Sequence, residues 1–80
     1  LGISGYAAGM GEVIAPFQFA TAYEVGSAVV PMLGFVGANN EVEWHVLKAE
    51  VVEGGIVNIT FPEELALRMF GKISVLAVLN

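Results

Sequence analysis

The side chains with the most chemical potential sit close together at Glu41, Glu43 and His45. On a β-strand all three project from one side, with neighbours about 7 Å apart, so they could hold a metal ion weakly or let a carboxylate orient the imidazole. The donor set is thin, because structural zinc takes four ligands and catalytic zinc three, each supported by further hydrogen bonds. A solvated strand face accounts for the same three residues with nothing added.

Other candidates are weaker. Glu63 and Glu64 are adjacent, so on a helix they diverge, and both suit the positive end of its dipole. Gly9-Met10-Gly11 lacks the third glycine of a dinucleotide loop and follows no strong strand. Asn58-Ile59-Thr60 matches a glycosylation acceptor but lies inside an expected strand. A single histidine with no cysteine and no aspartate leaves no set of nucleophile, base and orienting group. The sequence therefore names no catalytic, cofactor-binding or metal-binding residue, and the expectation is a protein that is not an enzyme and carries no cofactor.

Glu41 to Phe61 reads as two strands folded back at Glu53-Gly54-Gly55. Val42, Trp44 and Val46 alternate with Glu41, Glu43 and His45, the pattern of a strand with one wet face. The phase then slips to Leu47, Ala49 and Val51, and one extra residue near Val46-Leu47 would restore it, as in a β-bulge. Gly54-Gly55 permits the positive φ of a tight turn, and Ile56, Val57, Ile59 and Phe61 form the returning arm. A helix starting at Asn40 is the rival reading, but at 100° per residue the apolar side chains scatter round the cylinder.

Residues 1–15 form a glycine-rich arm, irregular or a poor strand, and a connector between chains. Phe17, Phe19, Thr21, Tyr23 and Val25 alternate with small or polar residues, a strand signal over 17–25. Residues 26–36 are apolar on both faces but cut by Pro31, which points to an edge strand or two short strands. Gly37 to Asn40 is a turn. Thr60, Pro62 and Glu63 open a short helix over 62–70 with Leu65, Ala66, Met69 and Phe70 on one face, Arg68 off it, and Gly71 as its stop. Ile73 to Leu79 is an unbroken apolar run, expected to be buried on both faces in a central position or beside a neighbouring chain. A chain starting at Leu1 is expected from an endoproteolytic cut, or where an N-terminal piece lies outside this sequence.

Composition bears on function most strongly. Hydrophobic residues make up 56% and there are 10 glycines, while charged residues are only 14%, against about 45–50% apolar with glycine included and about 25% charged in ordinary domains. A domain of 80 residues buries only about 60–65% of its unfolded surface, so the surplus is expected to be covered by other chains or by lipid. The net charge of -5 repels phosphate backbones and anionic membranes, so no nucleic-acid partner is expected. No uncharged apolar run reaches the 18 or so residues of a spanning helix, so no spanning membrane segment is expected. Without cysteine there is no disulfide framework, and the redox compartment stays open.

These readings lead to a single mostly β domain over residues 1–80: a small antiparallel sandwich or barrel-like sheet of about five strands with one short helix. The expected function is a structural, self-assembling subunit of a homopolymeric particle, such as a viral capsid or coat component or an extracellular filament. Its partners would be copies of itself, with other structural proteins of the same assembly next, and its location the virion or an extracellular assembly. Candidate interface residues are Phe17, Phe19, Tyr23, Trp44, Leu76 and Val78. The alternative is a small β-rich binding module for an apolar ligand or protein partner.

Overall fold

The computed structural model describes residues 3–20 and 22–79. In chain order it runs β1 (Val13–Phe17), β2 (Val30–Val36), β3 (Val42–Val46), β4 (Lys48–Val52), β5 (Ile56–Phe61), α1 (Glu63–Arg68) and β6 (Ile73–Leu79). The strands form two three-stranded antiparallel sheets, a first in the order β1-β5-β4 and a second in the order β3-β2-β6. The fold is mostly β with one short helix, as the sequence implies, with six strands among the described residues where about five were expected.

The β4-β5 hairpin is the local unit from which the rest follows. Val51 pairs with Val57 and Val52 with Ile56, and the turn between them places Gly54 at φ 85° and Gly55 at φ 73°, a region that glycine enters without a Cβ clash. At Val46-Leu47 the phase slip is more than a bulge. The chain leaves the second sheet there and enters the first, so Val46 stays exposed while Leu47 is buried. The Leu47 N–H donates to the Pro31 carbonyl at 2.9 Å. A strand that changes sheets must turn its side chains over, and the odd residue does that.

Pro31 lies in the middle strand of its sheet, not at an edge. Residues 30–36 form one continuous strand between β3 and β6. The missing Pro31 N–H is tolerated because, in an antiparallel ladder, a residue's N–H and C=O point to the same side, here toward β3, whose ladder with β2 ends one pair earlier at Met32 and Val46. Conversely, Ile73–Leu79 is an edge strand within this chain rather than a central one, paired with β2 alone among the described residues, and Ile73, Val75 and Leu79 are exposed. Continuous apolar character alone does not distinguish these two cases.

The strand expected over 17–25 is displaced. The ladder runs through Val13–Phe17, beginning inside the stretch read as an irregular arm (1–15), and stops at Phe17, where the aromatic alternation begins. Phe17, Phe19 and Tyr23 still pack together on the core, with ring centroids 6.2 Å apart for the first pair and 6.3 Å for the second. They alternate like a strand, yet the described residues from 18 to 29 belong to no ladder. Alternation sets which side chains face inward; hydrogen-bonded pairing needs a neighbouring strand as well. Thr21 lies outside the described residues.

Leu33, Val51, Val57, Ile59 and Phe61 fill the space between the sheets and are almost wholly buried, each removal from water contributing about 1.5–3 kcal/mol. Helix α1 adds Leu65 and Ala66 to this core, and Met69, which caps its C-terminus, joins them. Two side chains depart from the helical reading. Phe70 is exposed and stacks on Tyr6 at 6.4 Å, whereas the Arg68 guanidinium covers the Phe35 ring 4.3 Å from its centroid. Thr60 makes no cap; Pro62 holds that position without a side-chain hydrogen bond. Instead the Glu63 carboxylate accepts from the Gly9 and Gly11 N–H groups at 2.8 and 3.1 Å. With Tyr6 in the core, the glycine-rich arm is packed on its own chain.

Candidate interaction surface

The register assigns every side chain of the second sheet to a face. Pro31, Leu33 and Phe35 are buried, so they and their cross-strand partners His45, Glu43, Leu76, Ser74 and Val78 look inward. The outward face is then built in rows. Val36 stands between Val42 and Ile73, Gly34 between Trp44 and Val75, and Met32 between Val46 and Ala77, with Val30 opposite Leu79. This face carries no charged and no hydrogen-bonding side chain apart from the indole N–H of Trp44. Val46 is 67% exposed, Ile73 72% and Leu79 55%.

Gly34 is the low point of the face. A Cβ there would meet the Trp44 ring at 2.8 Å and Val42 Cγ1 at 2.6 Å. The absent side chain lets the indole lie across the middle strand, which leaves a flat aromatic surface in place of a ridge.

The first sheet presents the opposite character. Its outward positions include Lys48, Glu50, Asn58 and Thr60 with Ile14 and Pro16, a mixture usual for a sheet with one solvated side. The polar side chains that bordered the hydrophobic ones in the sequence have therefore been sorted. On β3 the charged side, read as a wet face, turns in toward α1, and Val42, Trp44 and Val46 turn out.

The polar cluster is the consequence. His45 Nε2 contacts Glu43 Oε2, which also accepts from Arg68 Nη1 at 2.9 Å. A carboxylate only accepts, so His45 Nε2 carries the proton of that bond, and the 3.4 Å approach of Arg68 to the same nitrogen is a contact and not a second hydrogen bond. The hydrogen bond from Arg68, and next that from His45, holds the Glu43 carboxyl below its ordinary range. Phe35 forms the floor, edge-on to His45 at 5.7 Å. Glu41 is not part of the group; its carboxylate accepts from the Asn39 N–H at 2.9 Å. Among the described residues no three histidine, cysteine or acidic side chains converge as metal ligands. The cluster joins α1 to β3, with a depression of about 160 Å³ beside it lined by Phe35, Glu43, Arg68 and Lys72.

Of the six residues proposed as an interface, Phe17, Phe19, Tyr23 and Leu76 are half-buried against the core of their own chain. Val78 is half-buried on the inner face opposite Pro31. Trp44 alone of the six stands on the open face. Met32, Ile73, Val75 and Leu79 belong there too, and their signal was the absence of any charge along β2 and β6; Val46 joins them through the alternation of β3. No family model, curated protein or solved structure matches this chain.

Among the described residues no helix is long and apolar enough to cross a membrane.

Proposed function

We propose that this chain is a structural subunit that assembles with copies of itself, as the component of a homopolymeric particle of the capsid, coat or filament kind. The observation that carries the reading is the contrast between the two sheets: one outward face is mixed and wettable, the other apolar from β3 to β6. An exposed apolar surface of this extent is costly in water and marks a contact with another molecule. A copy of the chain suits it because no charge on the face opposes a second such face. The depressions beside the Glu43 cluster and over the first sheet are lined largely by charged and polar side chains, which does not favour an apolar ligand.

Light scattering over a range of concentration and salt tests this. The expected result is a large, salt-insensitive oligomer that Val46→Lys dissociates while circular dichroism stays that of the folded chain. A wild-type monomer that remains soluble at high concentration overturns it.

A further inference from the structure

Each edge of the two sheets can be asked how it avoids, or invites, a new strand. β1 is five residues long and contains Pro16, which offers no N–H. β4 carries Lys48 and Glu50, and its Val51 carbonyl already accepts the Gly26 N–H at 3.2 Å. β3 carries Glu43 and leaves its sheet after five residues. These are the usual protections of an edge: brevity, proline, charge and cover. β6 has neither brevity, proline nor charge, and among the described residues no second strand covers it. It is seven residues long, ISVLAVL, without charge, proline or glycine, and in its sheet it is paired with β2 alone among the described residues.

Area gives the second argument. Three strands about 4.8 Å apart and up to seven residues long present a face of roughly 300 Å², so two such faces pressed together bury roughly 600 Å² in all. That is about half of the roughly 1,200 Å² at the lower end of stable interfaces. Face-to-face contact alone is too small to hold two copies together. Joining two sheets edge to edge doubles the apolar face and brings the pressed area to about the required size.

We propose that β6 is the seam between copies: two chains pair their β6 strands antiparallel about a two-fold axis perpendicular to the sheet, giving one six-stranded sheet with a continuous apolar face. This rests on the self-assembly reading and specifies its contact. An antiparallel edge pair with that axis keeps both outward faces on the same side, and directly opposed residues share a face, so only registers centred on a residue satisfy it. The register of greatest overlap sets Leu76 opposite its own counterpart. The doubled face is then covered by a second pair, and the smallest closed unit contains four chains.

The chain has no cysteine, so Leu76→Cys in the full chain introduces a single thiol. Under mild oxidation it is expected to shift from 8.4 kDa to twice that mass on a non-reducing gel, since opposed Cβ atoms about 4.5–5.5 Å apart lie near disulfide reach. Amide exchange on the wild-type chain makes the test independent of that variant's folding. The amides of Leu76 and Val78, which alternate with those bonded to β2 and point to the open edge, are expected to exchange about tenfold or more slowly as concentration rises into the assembled range. If light scattering shows assembly while the cross-link is absent and these amides are unaffected by concentration, the seam is overturned and self-assembly stands. A wild-type chain that stays monomeric throughout removes both.

Discussion

The indole of Trp44 lies across the backbone of Gly34, so close that a Cβ on Gly34 would fall 2.8 Å from the ring. The pair faces outward, on the middle and edge strands of the second sheet. Their fit flattens a surface that nothing among the described residues covers.

Gly34→Ala is therefore expected to cost about 1–3 kcal/mol, the usual penalty for overpacking a fitted site. The same substitution in a Trp44→Ala background is expected to cost less, though not nothing, because Val42 Cγ1 also stands in the way at 2.6 Å. Urea unfolding of the two single variants and the double variant measures the coupling; additive costs would show that the ring is not what opposes the new methyl.

Acid should act through Glu43. Its folded pKa is lowered, first by the Arg68 hydrogen bond and then by that of His45. A carboxyl with a folded value below its unfolded value stabilises the fold above the unfolded value, ordinarily about 4.5, and loses that contribution as pH falls through the folded value. Glu43→Gln is expected to melt below wild type at neutral pH and to converge with it in acid. Thermal unfolding from about pH 2 to pH 7 decides this, and parallel curves would remove the ion pair as a source of the dependence.

Glu63 ties the N-terminal arm to α1 through the Gly9 and Gly11 amides. Glu63→Ala is expected to cost about 1 kcal/mol, as for hydrogen bonds with partial solvent exposure, and to speed exchange at those two amides while β5 stays protected. Unchanged exchange there would mean that the arm is held by Tyr6 alone.

Phe61 ends the middle strand of the first sheet and is wholly buried. Phe61→Ala is expected to cost about 3–5 kcal/mol, a large share of the roughly 5–15 kcal/mol that holds a domain folded. A loss under 1 kcal/mol by denaturant titration would show that the core closes around the cavity.

The hairpin, the turn glycines and the helix were legible in the residues because each depends on neighbours close in the chain: a period of two, a positive φ, an acidic first turn. So was the break at Val46-Leu47, though not its meaning. Whether an extra residue is a bulge or a corner between two sheets depends on where β2 lies, and Pro31 supplies that contact from 16 positions away. The aromatic run after Pro16 shows the converse, a strand-like alternation left without a ladder.

Sequence alone determined that the chain has more apolar surface than a domain of 80 residues can enclose, since composition and length set that balance before any fold is chosen. Tertiary structure decided where the excess went. Packing α1 against Phe35, Glu43 and His45 turned the charged side of β3 inward, and the strand's two-residue period then forced Trp44 and Val46 out beside β2 and β6. Which face of a strand meets the core is a choice between two opposite sides, and only the element lying against it makes that choice.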